Sequence, residues 1–142
     1  MWKRGGYGTG LMERFGSFSI DASEEPRDVI YIHAVSVGEV FIALKLIKQW
    51  MQAEPNLKVV LAATTSTGHA VARENALAGV RVIYSPLDFN MIVTEVLSRF
   101  QPRQIVLIEA EVWPNFVNVA RQMKIPVAMI NARLSKRSEL RF

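Results

Sequence analysis

The sequence predicts an α/β domain, an open parallel sheet with helices on both faces. From Asp28 onward, short β-branched runs alternate with longer segments of helical period. The strand segments are mostly apolar without clean alternation, which is how strands buried on both faces of a parallel sheet read. A length of 142 residues, 50% of them hydrophobic, suits one such domain with one core. A chain of this size buries roughly two thirds of its unfolded surface.

The strand candidates are Val29 to Ala34, Lys58 to Ala63, Val80 to Tyr84, Gln104 to Ile108 and Pro126 to Ile130. The first helix is expected from about Gly38 to Gln52. Phe41, Leu44, Leu46 and Ile47 supply its apolar side, and Lys45, Lys48, Gln49 and Gln52 form a polar stripe. The second spans about Gly68 to Ala78, the third about Asn90 to Phe100, and the fourth about Pro114 to Met123. Pro114 suits a first helical turn, where its missing N–H would have no intrahelical partner. Parallel strands joined by such helices need right-handed crossovers, so the product is a five-stranded, Rossmann-like half. Residues 1–27 lack this period and read as an irregular lead-in with a short helix near Gly10 to Phe15; residues 28–142 form the domain.

Composition excludes several classes. With 8 Gly and 6 Pro the chain is neither collagen-like nor low-complexity. It has no cysteine, which removes disulfides, thiolate metal sites and a cysteine nucleophile. The net charge of +4 is too small to point to nucleic acid but favours an anionic partner. No apolar run reaches the ~18 residues of a membrane span, and Met1-Trp2-Lys3-Arg4 runs into glycines rather than a signal-peptide core, so the chain is expected to be soluble.

In an open α/β sheet, ligands bind in the crevice outside the C-terminal ends of the strands. The loops expected there are Ser36-Val37-Gly38-Glu39, Thr64 to Gly68, Ser85 to Asp88, Glu109-Ala110-Glu111 and Asn131-Ala132-Arg133. Glu39 falls in a first helical turn behind a glycine that permits close approach. It either complements the helix dipole, worth about 0.3–1 kcal/mol, or serves as a general base. Of Glu109 and Glu111 only one can face the crevice, and Glu111 is favoured because it directly precedes the turn into Trp113-Pro114. Thr64 to Gly68 reads first as a helix cap and second as an anion cradle. His33 and His69 are too poorly accompanied for a metal site and read as satisfied core or edge histidines. Gly5 to Gly10 follows no strand and does not fit the dinucleotide fingerprint. Lys45, Lys48 and the basic terminal group suit either solvent or an anionic lipid surface.

These loops carry a resemblance. His33-Ala34-Val35-Ser36-Val37-Gly38-Glu39-Val40 resembles the H-A-V-S-V-G-E segment of the 3-deoxy-D-manno-octulosonic acid (Kdo) transferases. Four further segments agree in order: Thr64-Thr65-Ser66-Thr67-Gly68, Pro86-Leu87-Asp88, Glu109 to Asn115, and Asn131-Ala132-Arg133-Leu134-Ser135. Arg14-Phe15-Gly16 is similar to that family's lead-in. Val112 and Ser66 depart conservatively, and a proline common in the Thr-rich loop is missing.

The resemblance implies the N-terminal, acceptor-side half of a GT-B glycosyltransferase. It implies inverting transfer of Kdo from the donor substrate CMP-Kdo to the 6′-hydroxyl of the lipid A precursor (lipid IVA) in lipopolysaccharide biosynthesis, without metal or other cofactor. Glu39 matches the general base. Glu111, Ser36, Gly38 and Arg133 match the acceptor site, with Thr65 and Asp88 as loop contacts. The implied partners are the lipid A precursor, an anionic inner-membrane surface and a C-terminal donor domain. That domain and the family's membrane anchor have no counterpart in the sequence, so the chain is expected to be inactive alone, a non-catalytic acceptor-binding fragment on the cytoplasmic face of the bacterial inner membrane. A nucleotide-binding Rossmann protein is the other alternative, disfavoured by the missing glycine fingerprint.

Overall fold

The computed structural model describes residues 10–19, 21, 23–108 and 113–130. The elements run α1 (Leu11–Arg14), β1 (Ile30–Ala34), α2 (Val37–Ala53), β2 (Val59–Ala63), α3 (Ser66–Asn75), β3 (Val80–Tyr84), α4 (Asn90–Phe100), β4 (Gln104–Ile108), α5 (Pro114–Gln122) and β5 (Val127–Ile130). The five strands form one sheet in the order β3-β2-β1-β4-β5, and every neighbouring pair is parallel. The fold is therefore the expected Rossmann-like α/β sheet, with the topology of the N-terminal half of a GT-B enzyme.

Alternate strand residues feed two cores. Ile32, Ala34, Leu61, Ala63, Val106 and Ile108 pack under Val40, Ala43 and Ile47 of α2 and Ala72 of α3. Tyr31, Val60, Ala62, Ile83, Ile105 and Leu107 pack under α4 and α5, against Val93, Leu97, Phe100, Phe116 and Val119. β1 to β4 thus have buried faces on both sides, which is why their sequences lack a polar face.

Three expectations need correction. The strand β5 is not buried on both faces: it is an edge strand, with Val127 and Met129 38% and 40% exposed. Phe41, placed above on the apolar side of its helix, is 54% exposed, because Val40, Ala43 and Ile47 take the face toward the sheet. The second helix starts at Ser66 and ends at Asn75 instead of running from Gly68 to Ala78. Thr65 caps its start, and Ala76 turns extended before a Val80 N–H to Leu77 carbonyl bond closes the turn into β3.

The described part of the lead-in is strapped to the β3 side of the sheet. Leu87 N–H donates to the Arg14 carbonyl at 2.8 Å and Tyr84 N–H to Glu13 Oε2 at 2.9 Å. Gly10 sits at φ +69°, where a Cβ would overlap the Tyr84 ring, so the close approach requires glycine. Further along, the carboxylate of Glu25 pairs with Arg81 at 3.0 Å and Arg99 at 3.4 Å. Phe18 packs edge-on against Phe100 at 5.7 Å.

Candidate functional site

The parallel sheet brings the turns after β1, β2 and β3 to one edge. At the first of them Ser36 is the N-cap of α2, with extended backbone. Its Oγ lies 3.4 Å from Glu39 N, from which it accepts, and 3.4 Å from Glu39 Oε1, to which it donates. Glu39 Oε2 in turn accepts the Val35 N–H at 2.6 Å. This is a capping box: the serine satisfies a donor of the first helical turn and the glutamate reaches back to one just outside it. The carboxylate is consequently held in one orientation, 7% exposed, at the start of α2 on the edge where the strands end. Gly38 beside it is exposed, and a Cβ there would meet only Ser36 Oγ at 3.9 Å.

The second turn packs directly against the first. Thr65 Oγ1 accepts the Gly68 N–H at 3.0 Å, so the capping role of this loop is present. A Cβ at Gly68 would stand 2.9 Å from the capping Thr65 Oγ1, so the cap itself requires glycine there, and 3.5–3.6 Å from Val40 and Ser36, so the starts of α2 and α3 are in van der Waals contact.

Asp88, on the third turn, is committed elsewhere. Its carboxylate accepts the N–H groups of Asn115 at 3.1 Å and Phe116 at 2.8 Å, and Asn115 Nδ2 donates back to the Asp88 carbonyl at 2.6 Å. Trp113, the N-cap residue of α5, makes no side-chain cap bond, so Asp88 supplies that cap from across the sheet edge. Asp88→Ala is expected to cost about 1–2 kcal/mol in urea unfolding; a loss under about 0.3 kcal/mol would remove the capping role. Glu39, Ser36, Gly38 and Thr65 therefore share one corner, and Asp88 braces α5 nearby. Glu111 and Arg133, like Glu109, lie outside the described residues.

Sequence reasoning missed two buried constellations at this edge. Thr64 Oγ1 lies 3.5 Å from His33 Nε2 and donates to Ser85 Oγ at 3.3 Å, a polar chain running across the ends of three strands. His33 was expected to be satisfied, yet its Nδ1 has no hydrogen-bond partner among the described residues, while the ring packs against Trp113 and Phe116, with centroids at 5.6 and 6.0 Å. The second is a stack: His69 lies parallel to Tyr84 at 3.8 Å, and the Arg14 guanidinium sits 4.6 Å from the Tyr84 centroid. Polar residues ending three apolar strands were the available signal for the first; the second joins segments too distant in sequence to leave one. Among the described residues no group of three or more His, Asp or Glu could hold a metal.

Burial holds the His33 imidazole at about 4, and burial together with Arg73, Arg14 and Arg81 holds His69 at about 4. Both are neutral in the fold, whereas the unfolded chain protonates them near 6.5. Between those values the unfolded state binds more protons, so their contribution is full above 6.5 and is lost as pH falls toward 4. The urea midpoint is expected to fall between pH 7 and pH 5, His33 contributing on the order of 2 kcal/mol. A flat profile would contradict this.

A cavity of about 330 Å³ lined by Ile30, Trp50, Leu57, Arg103, Val106 and Ile130 lies under β1, β4 and β5, and none of the crevice residues lines it. Among the described residues no helix is long and apolar enough to cross a membrane.

Comparison with known proteins agrees with the fold and the loops. Residues 9–142 match the family model described as 3-Deoxy-D-manno-octulosonic-acid transferase (kdotransferase). A 3-deoxy-D-manno-octulosonic acid transferase of Haemophilus influenzae is 36% identical over 93% of this chain and 31% of its own length. A probable mitochondrial one of Arabidopsis thaliana is 32% identical over 89% of this chain and 28% of its own. That of Bordetella pertussis is 33% identical over 97% of this chain and 34% of its own. The chain thus spans about a third of the length of these relatives. With a family match across nearly all its residues and a fold of the corresponding topology, the chain belongs to the 3-deoxy-D-manno-octulosonic-acid transferase family.

Proposed function

We propose that this chain is the acceptor-side half of a glycosyltransferase that moves Kdo from CMP-Kdo to the lipid A precursor (lipid IVA). The observation that carries the reading is the Glu39 carboxylate fixed by its capping bonds at the start of α2, beside an open glycine. In the proposed step the 6′-hydroxyl oxygen attacks the anomeric carbon of Kdo as the bond to the cytidine monophosphate oxygen breaks. The nucleotide leaves with the bonding electrons, the configuration inverts, and Glu39 takes the hydroxyl proton. Ser36 orients Glu39, Gly38 leaves room for the sugar, and Thr65 shapes the neighbouring turn. Glu111 and Arg133 complete the acceptor site in this reading. The donor is held by a C-terminal domain of the full-length protein.

An acceptor anchored in lipid calls for a domain that works at an anionic membrane surface, here the cytoplasmic face of the inner membrane. Exposed Phe41 supports this, two residues beyond Glu39 and on the same solvent side of α2 as exposed Lys45 and Lys48. Each Lys near an anionic surface contributes about 1 kcal/mol. Met12, Phe15, Phe89 and Met91, exposed around α1 and the start of α4, add apolar area.

The test is transfer of labelled Kdo from CMP-Kdo to a tetraacyl lipid A precursor. A full-length reading frame containing these residues is assayed beside the 142-residue chain. Transfer by the long form alone supports the reading and makes this chain the binding half; transfer by neither ends it.

A further inference from the structure

His33 is an expensive residue where it stands. The residue is 4% exposed, one ring nitrogen has no partner among the described residues, and the other makes a 3.5 Å contact with Thr64. A phenylalanine would fill the same slot against Trp113 and Phe116 with no buried polar atom to satisfy. Apolar packing therefore does not explain an imidazole there.

Its hydrogen bonds lead to the crevice. Thr64 Oγ1 stands between His33 Nε2 and Ser85 Oγ, so one hydroxyl links the imidazole to the turn after β3. The same threonine donates its backbone N–H to the Ala34 carbonyl at 3.2 Å, and Thr65 donates to the Val35 carbonyl at 3.4 Å. These are the long final rungs joining the turn after β2 to the turn after β1. Val35 then donates its own N–H to Glu39 Oε2. A continuous path runs from His33 through Thr64 and Thr65 to Val35 and the carboxylate.

We propose that His33 is a positioning residue for Glu39, fixing the Thr64–Thr65 turn so that residue 35 presents its N–H to the carboxylate. The kinetic part rests on the transferase reading above. The hydrogen-bonding part does not.

Full-length protein carrying His33→Phe, His33→Gln or Thr64→Val tests it by kinetics, thermal melting and amide hydrogen exchange. Glutamine can return a hydrogen-bonding amide group to the position of Nε2. His33→Phe and Thr64→Val are expected to lower kcat about tenfold to a hundredfold, with KM for the acceptor within about twofold. Melting of His33→Phe is expected at or above the wild-type midpoint. The double variant should be no worse than either single one. His33→Gln should recover most of the loss. Exchange at the Val35 and Thr65 amides should quicken in His33→Phe, while that at Ile47 and Val106 stays unchanged. A His33→Phe enzyme with kcat within twofold of wild type, a loss that follows a lowered melting point, or unchanged exchange at Val35 overturns the proposal. If the wild-type protein transfers no Kdo, the transferase reading fails and the exchange comparison still decides the role of His33.

Discussion

Glu39→Gln is expected to lower kcat of the full-length transferase by about 10²- to 10⁴-fold, the usual worth of a positioned general base. The amide keeps the shape of the carboxylate and its oxygen can still accept the Val35 N–H, so the capping box and the fold survive. What it cannot do is take the proton of an attacking hydroxyl. Rate and binding should therefore separate: kcat falls while the affinity for the lipid A precursor stays within a few-fold. Turnover retained within about tenfold would leave Glu39 as a helix cap only. A large loss of acceptor affinity would make it a binding residue.

The second large effect is structural. The Glu25 side chain is 1% exposed between Arg81 and Arg99, and it ties the lead-in to β3 and α4 at once. Removing the buried carboxylate takes away the group that both arginines share, and breaking a buried ion pair costs up to about 3–5 kcal/mol. Against a typical total of about 5–15 kcal/mol, Glu25→Ala is expected to bring the domain close to unfolding at 37 °C. Arg81→Met should cost less, because Arg81 is 22% exposed and keeps water at its guanidinium. Urea unfolding of the three proteins measures this. A Glu25→Ala loss under about 1 kcal/mol would mean the cluster behaves as surface ion pairs do.

The alternation of apolar runs and helical periods was enough to locate every strand and helix to within two or three residues. Parallel strands closed between helices need little else to declare themselves. Phe41 and β5 show the limit: an apolar residue reports its own preference, not whether a neighbour exists to cover it. The same limit applies to function. Ser36 and Glu39 stand three apart, so their capping box is written in the sequence; Asp88 and Asn115 stand 27 apart, and only folding makes them a cap.

The sequence alone determined the class of fold, the edge where the loops gather and the family, because each rests on local periodicity or on short ordered motifs. Tertiary structure decided what the motif residues touch. It assigned Asp88 to bracing α5, buried Glu25 between two arginines, and joined His33 to Glu39 through a neighbouring strand. Those contacts join chain segments tens of residues apart, whose partners are chosen by packing and not by spacing.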